Sequence, residues 1–268
     1  MQPTPESPQT ALITGASVGI GQQLAKIFAE HGFNLVIVAR RRSVLEEIAR
    51  RLPADHGITV VPIACDLTAP QAPQTVLQTV QQHGIDIDVL VNNAGINHHG
   101  NFKDIRLEDH LELIQLNIAA LTALTHLFVQ PMVERGRGRI LNVASLSAFQ
   151  PVPTLAAYSA SKAYVLALSE ALATELRDTG VSVTALCPGF TDTDMLNIVS
   201  ATTAKPTPLP DFLVGGAEQV ARDGYAACMG GEVVRVSGRI NQLAALWMRY
   251  QPSWVGRFLS GVLTRKIR

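Results

Sequence analysis

Charge is scarce and balanced in this 268-residue chain. Charged side chains make up 16%, with 22 basic and 22 acidic residues, so the formal net charge is zero. Such a balance gives no sign of the basic surface that nucleic-acid binding needs, and no nucleic-acid partner is expected. Cysteine is scarcer still. Cys65, Cys187 and Cys228 are odd in number, far apart and without metal-ligand spacing, which argues against a metal centre and predicts buried thiols in a reducing compartment. Met1 to Gln9 hold three prolines and no apolar core. That start reads as a short disordered lead-in rather than a signal peptide or membrane span, and the expected location is cytoplasmic. No internal repeat or linker is visible. Apolar side chains, at 47%, are what the chain has in quantity, enough for a substantial core in one large domain or two small ones.

The chain is organised around Ser145 to Lys162. If its end is helical, Tyr158 and Lys162 stand at i and i+4 and share one face. A phenol exchanges protons poorly at neutral pH because its unperturbed pKa is about 10. An ammonium beside it favours the phenolate, and a shift of about three units corresponds to roughly 4 kcal/mol. Ser145 ends the apolar run Arg139 to Ala144. A strand end that delivers a hydroxyl beside a helix start that delivers a phenol offers two hydrogen bonds to one carbonyl oxygen. Carbonyl reduction or alcohol oxidation is then expected, provided a hydride carrier binds nearby. Tyr-x-x-x-Lys also arises by chance in helices where the tyrosine packs and the lysine is solvated, so the remainder of the chain has to decide.

Ala11-Leu12-Ile13 reads as a buried strand running into Thr14-Gly15-Ala16-Ser17-Val18-Gly19-Ile20-Gly21, and Leu24, Ala25, Ile27 and Phe28 follow at helical spacing. A glycine-rich turn between strand and helix lets backbone approach a pyrophosphate, with the helix N-terminus supplying donors. Gly15, Ser17, Gly19, Ile20 and Gly21 are therefore the candidate phosphate-binding residues. Strand 35–38 ends at Ala39-Arg40-Arg41-Arg42, where a carboxylate would meet a ribose 2′-hydroxyl. Arginine there pairs with a 2′-phosphate instead, so NADP(H) is favoured over NAD(H) and Arg40 is the candidate reader. A solvated basic start to the helix expected over 43–52 accounts for one or two of the three arginines.

Strand 58–63 leads to Asp66, which either accepts from an adenine amino group or caps the helix that follows, expected over 70–83. Strand 89–91 is followed by Asn92-Asn93-Ala94-Gly95, placed at the carboxyl-end crevice where ligands collect. Adjacent His98 and His99 diverge and lack further ligands at fitting spacing, so no metal is expected and contact with substrate is the alternative. One long helix is expected over 107–133, with Asn117 in its middle either functional or tolerated. Further expectations are a helix over 156–178, a strand over 181–186 ending at Pro188-Gly189, a substrate lid over 191–210, a helix over 217–228 and a last strand over 233–236. Substrate-pocket residues are expected from 96–102, 147–155 and 191–213.

Alternating strands and helices argue a doubly wound parallel α/β sheet in one domain over 10–237, after the lead-in 1–9 and before a tail at 238–268. With Thr14-Gly15…Gly19-Ile20-Gly21, Asp66, Asn92-Asn93-Ala94-Gly95, Ser145 with Tyr158-x-x-x-Lys162, and Pro188-Gly189 in order, the chain resembles the short-chain dehydrogenase/reductase family. The resemblance covers about residues 10 to 237. It implies a Rossmann-type sheet of about seven strands and a catalytic set of Asn117, Ser145, Tyr158 and Lys162. Asn117 would keep a water in a proton relay to Lys162. Cofactor contacts are implied for Asn93, Ala94, Gly95, Tyr158, Lys162, Pro188, Gly189 and Thr191, with the segment after Pro188-Gly189 folding over the cofactor. Val18 departs from the basic residue many NADP-linked relatives carry before the second glycine, leaving phosphate preference to Arg40 and its neighbours.

The reading is an NADP-dependent oxidoreductase that interconverts an alcohol and a ketone or aldehyde on a moderately hydrophobic small molecule. A non-catalytic NADP-binding sensor would be expected to lose Tyr158, Lys162 or Ser145, and a nucleotide-sugar epimerase usually needs a larger substrate region. In the tail, Leu243, Leu246, Trp247 and Tyr250 form one helical stripe before Pro252, and Val255, Phe258, Leu259 and Val262 another after it. Six basic and no acidic residues lie in this stretch, with Arg249, Pro252 and Arg257 interrupting any run long enough to span a bilayer. Docking on the parent domain or within a homodimer or homotetramer is expected, and contact of 240–268 with an anionic membrane surface is the alternative.

Overall fold

Parallel strands buried on both faces read as near-continuous apolar runs, as Ala11 to Ile13, Leu35 to Ala39 and Val89 to Val91 do here. The computed structural model describes residues 8–189, 191–192 and 215–250. Its elements in chain order are β1 (Thr10–Thr14), α1 (Gly19–Glu30), β2 (Asn34–Ala39), α2 (Arg42–His56), β3 (Val60–Ala64), α3 (Ala72–Gln82), β4 (Val89–Asn92), α4 (Leu107–Ile114), α5 (Leu121–Glu134), β5 (Gly138–Val143), α6 (Ala156–Glu175) and β6 (Val181–Cys187). There follow β7 (Thr191–Asp192), β8 (Gly215–Gly216), α7 (Ala217–Gly230), β9 (Val234–Val236) and α8 (Arg239–Tyr250). The described residues form a seven-stranded sheet in the order β3-β2-β1-β4-β5-β6-β9, every pairing parallel, and β7 pairs with β8 in a separate short ladder. The order runs outward in one direction from β1 and in the other from β4. Their carboxyl ends therefore diverge into a crevice at the switch point.

Alternate residues of β1 divide the core in two. Ala11 and Ile13 pack with Leu24, Ile27 and Phe28 of α1, Leu45 and Ile48 of α2, and Val220 of α7. Leu12 faces the other layer, with Val76 and Val80 of α3 and Leu124, Phe128 and Met132 of α5. Phe28 meets Phe33 and Tyr225 edge-on at 5.1 and 4.9 Å between centroids, tying α1 to α7 across most of the chain. Polar residues cross the second layer as a bonded set. Asn92 donates to Asn142 (2.9 Å) and Thr125 (3.0 Å), and Asn142 donates to Ser169 (3.0 Å). Burying four polar side chains is tolerable because bonds within the set satisfy most of their polar atoms, Asn92 Oδ1 excepted.

Element boundaries depart from sequence expectation at identifiable residues. Helix α2 runs past Leu52 and Pro53 to His56, because the stop is Gly57, left-handed at φ 69°, whose N–H bonds the Pro53 carbonyl at 2.9 Å. The helix expected over 107–133 is continuous to Glu134 but widens into a π segment over Gln115–Ala120, with Asn117 inside it. By length and composition the span Leu107–Glu134 is apolar enough to cross a membrane. Its Leu113, Leu124, Phe128 and Met132 are instead buried inside the protein. Helix α6 ends at Glu175 rather than Asp178. Of the lid expected over 191–210, Thr191 and Asp192 are described as β7, and the rest lies outside the described residues, as do most of the lead-in and the second tail stripe.

The Asn92–Asn142–Ser169 chain is open to test by volume-conserving substitution. Asn142→Leu takes one acceptor from Asn92 Nδ2, which keeps Thr125, and one donor from Ser169, whose hydroxyl keeps the Val165 carbonyl, and is expected to lower unfolding stability by about 1–3 kcal/mol in urea titration.

Candidate active site

The crevice is held in shape by Thr14, the last residue of β1 and itself buried. Its Oγ1 donates to the Val91 carbonyl at 3.2 Å and accepts from the backbone N–H groups of Asn93 and Ala94, both at 3.0 Å. Asn93 returns the contact, its Nδ2 donating to the carbonyls of Thr14 (2.9 Å) and Gly15 (3.3 Å). Its side chain therefore braces the two loops. Gly15 and Gly19 adopt left-handed backbone, φ 68° and 56°. Gly21 has no room for a side chain, since a Cβ there would lie 2.3 Å from the Gly15 carbonyl oxygen. Ser17 is buried beneath the loop, and Ile20 packs against the α1 layer. No side chain caps the start of α1 after Val18, and its first turn carries no acid. The helix N-terminus thus presents backbone donors to the crevice.

Of the three arginines after β2, Arg41 turns back over this loop, its Nη2 donating to the Ser17 carbonyl and hydroxyl oxygens, both at 3.4 Å. Arg40 is exposed with no bonded partner given among the described residues, and Arg42 pairs along its helix with Glu46 at 4.0 Å. Sequence spacing singled out Arg40. It gave no means of seeing that Arg41 reaches the loop, because that contact depends on where α2 begins. Asp66 Oδ1 accepts from the Thr68 N–H (3.0 Å) and hydroxyl (2.9 Å), closing a local turn, and it does not cap α3, which begins at Ala72 after Gln71.

Across the crevice, Asn117 is 1% exposed. Its amide bonds both backbone groups of Ile96, accepting from N–H at 2.9 Å and donating to C=O at 3.0 Å, and it also donates to Ser161 Oγ at 3.1 Å. Both amide hydrogens are committed, so neither is left to bond a water in the relay expected toward Lys162. Gly95 lies within this group. A Cβ on it would stand 3.2 Å from Asn117 Oδ1 and 3.5 Å from Lys162 Nζ.

Ser145 lies two residues past the end of β5 in extended backbone, its Oγ accepting from Ser147 N–H at 3.2 Å, and its side chain also hydrogen-bonds the Tyr158 phenol. Lys162 is 5% exposed, and its Nζ donates to the Val143 carbonyl at 2.8 Å, 5.8 Å from the Tyr158 ring centre. Burial pushes the Lys162 ammonium down to about 8, with nearby Cys187 acting the other way. Burial likewise raises the Tyr158 phenol, and the Ser145 hydrogen bond lowers it. The net direction is opposite to the lowering expected from the sequence, because the ammonium is engaged on Val143 and desolvation outweighs it. Cys187, buried at the end of β6, is pushed up to about 12. The Pro188 carbonyl accepts from Leu146 N–H at 2.7 Å, drawing the turn after Ser145 onto the end of β6. A Cβ on Gly189 would lie 2.3 Å from Asn241 of α8. Thr191 lies in β7, and only its backbone is described.

A cavity of about 540 Å³ lies between the Ala148–Pro153 loop and Ala156, Ser159, Ala160 and Ala163. Those helix residues share the face of α6 turned from Tyr158 and Lys162, so part of the loop expected to meet substrate borders a separate hollow. Asn97 Oδ1, His98 Nε2 and Ser147 Oγ are buried without hydrogen-bond partners in the loops after β4 and β5. Among the described residues, no group of three His, Cys, Asp or Glu side chains is placed to hold a metal ion.

The model of the short chain dehydrogenase family matches residues 9–204. An uncharacterized oxidoreductase of Staphylococcus epidermidis is 34% identical over 187 residues, covering 70% of this chain and 80% of that protein. The ketoacyl reductase HetN of Nostoc sp. is 36% identical over 182 residues, covering 68% of this chain and 63% of its own. Among solved structures, a short-chain dehydrogenase from Sphingobium yanoikuyae in complex with NADPH is similar at a TM-score of 0.79 and 32% identity, over 89% of this chain and 92% of that one.

The buried ammonium has a consequence for stability. With a folded pKa near 8 and an unfolded value of 10.5, Lys162 is bound to a proton more often in the unfolded chain between those limits. Its charge therefore opposes folding fully below about pH 8, and the penalty is relieved as pH rises toward 10.5. Relative to Lys162→Met, the wild-type protein is expected to gain unfolding stability from about pH 8 to about pH 10, measured by urea titration at each pH. A pH-independent difference between the two would remove Lys162 as the titrating group.

Proposed function

Because the chain belongs to the short-chain dehydrogenase family of oxidoreductases, we propose that it interconverts an alcohol and a ketone or aldehyde using NADP(H), with residues 10–237 as the catalytic unit. The observation that carries this reading is the meeting of the Ser145 hydroxyl, the Tyr158 phenol and the Lys162 ammonium beside Gly95 at the carboxyl end of the sheet.

The residues present fit a nicotinamide dinucleotide. Gly15 and Gly19 in left-handed backbone, Gly21 without space for a Cβ, and the uncapped start of α1 make a backbone cradle suited to a pyrophosphate. Arg40 and Arg41, next to the loop, would hold a 2′-phosphate, and Asp66 would accept from an adenine amino group through the oxygen not bonded to Thr68. Gly95, Ala94 and Lys162 would hold the nicotinamide ribose, with Pro188 and Gly189 contributing from the end of β6. The cofactor supplies or accepts the hydride.

Every other part of the reaction falls to side chains. In the reductive direction Ser145 and Tyr158 donate hydrogen bonds to the carbonyl oxygen, and the Tyr158 proton passes to that oxygen as the alcohol forms. In oxidation the phenolate takes the proton back. Burial keeps the phenol protonated, which suits a proton donor, and Lys162 stabilises the phenolate once the proton leaves. Asn117 fixes Ile96 and Ser161 with its side chain. Any water it holds for Lys162 is held by its backbone, in the π segment where the helical hydrogen-bond ladder is shifted.

Tyr158→Phe keeps the ring and removes the acid, so kcat for carbonyl reduction is expected to fall by roughly 10²–10⁴-fold with NADPH affinity little changed. Turnover at the wild-type level would remove Tyr158 from the mechanism. Placing a carboxylate at Arg40 or Arg41 tests the second cofactor contact. Arg40→Asp and Arg41→Asp are each expected to lower the NADPH-to-NADH ratio of kcat/KM by about tenfold or more, through a repulsive charge in place of an attractive one. A ratio unmoved by both substitutions would assign 2′-phosphate recognition elsewhere.

A further inference from the structure

A surface helix docked on its own domain ordinarily turns its apolar side inward. Helix α8 does the reverse. At 100° per residue, Ile240, Leu243, Leu246, Trp247 and Tyr250 lie on one side of it, and they are 53%, 70%, 56%, 52% and 77% exposed. The side facing the domain carries small and polar groups. Ala245 is buried, Asn241 bonds the Ser237 carbonyl at 2.8 Å and packs on Gly189, and Arg249 reaches Glu170 of α6 at 3.0 Å. The domain therefore fixes this helix with its most apolar stripe turned out. The expectation of docking on the parent domain holds for one face only.

Charge is distributed along the chain in the same sense. From Val233 to Arg268 there are seven basic residues and no acidic one, while residues 1–232 carry 15 basic and 22 acidic. The neutral total hides a strongly cationic end. Both tryptophans of the chain, Trp247 and Trp254, fall within it. Residues 251–268 follow α8 directly and continue the mixture of bulky apolar and basic side chains, with Phe258, Leu259, Arg265 and Lys266 among them.

We propose that the exposed face of α8 is a docking surface for an anionic lipid membrane, on which the protein lies peripherally. Exposed aliphatic, Trp and Tyr side chains on a helix whose own sequence carries two basic residues and no acidic one are the combination that partitions into a negatively charged bilayer interface. A second copy is the weaker occupant. Symmetric contact through this face would bring two cationic ends together. A single helix about 18 Å long also offers far less than the roughly 800 Å² per partner of a stable interface. Since α8 packs on Gly189 and on the turn after Ser145, the bound protein would hold its crevice close to the lipid surface. The inference does not depend on the oxidoreductase reading, and its test involves no turnover.

The experiment uses the full chain carrying Trp254→Phe, so that Trp247 alone emits. Vesicles of phosphatidylcholine, with and without about one-third phosphatidylglycerol, are titrated into it at low and high salt, with emission and co-sedimentation followed. A blue shift and sedimentation are expected with the anionic vesicles, with apparent affinity at least roughly tenfold above that for the neutral ones and falling with salt. Leu243→Ser combined with Leu246→Ser is expected to reduce this binding about tenfold or more without changing the thermal midpoint, since both side chains are exposed. Absence of binding, or binding indifferent to lipid charge or to the double substitution, would overturn the proposal. So would Trp247 emission already blue-shifted before vesicles are added, or a concentration-dependent oligomer abolished by the double substitution, which would give the face to the chain itself or to a second copy.

Discussion

One hydroxyl governs the shape of the crevice. Thr14 joins the carboxyl ends of β1 and β4, accepting from two consecutive backbone N–H groups of the turn after β4 while donating to the strand itself. The sheet order makes this necessary. The two strands lead their chains away in opposite directions, and nothing in the sheet ladder holds the loops beyond their ends together. Asn93 supplies the reciprocal contact from the other side. The glycine loop, the start of α1 and the turn carrying Gly95 consequently behave as one rigid rim. Placement of Gly95 against Asn117 and Lys162 follows from that rim.

The reactive groups are held under an energetic cost. Lowering the Lys162 pKa from 10.5 to about 8 corresponds to roughly 3 kcal/mol against the charged form. The Val143 carbonyl offsets part of it, and the whole protein's margin is only about 5–15 kcal/mol. A lysine kept buried at that expense, on the same helix face as a half-buried tyrosine, distinguishes this site from a chance Tyr-x-x-x-Lys match, in which the lysine is solvated. Asn117 is held in an equally specific way, because the π segment sets its side chain against the backbone of Ile96.

Much of this was legible in the residues. Apolar runs such as Leu35 to Val38 and Val89 to Val91 are unambiguous strands because both faces are buried, and the glycine loop, Asn92 to Gly95 and Tyr158 to Lys162 each stood in the expected strand or helix context. What escaped depends on distances between elements. Whether Arg40 or Arg41 leans on the loop is decided by the first turn of α2. The direction of the Tyr158 shift is decided by where the Lys162 ammonium finds an acceptor. The helix expected over 43–52 runs one turn further, because Gly57 and not an earlier residue supplies its left-handed stop. The stripe on α8 was evident from spacing, but spacing cannot say which way a helix faces.

The contact of Phe28 with Tyr225 joins residues nearly 200 positions apart. On a growing chain, the first helix is made early and its partner surface late. Leu24, Ile27 and Phe28 would emerge with one flank lacking cover until α7 has left the ribosome, at a pace of about 5–20 residues per second. For roughly 10–40 s the chain therefore carries an aromatic and aliphatic flank that only its far end can cover. A stalled or truncated product lacking residues 217–230 keeps that flank open for good, which marks it for chaperones and proteolysis before any crevice has formed.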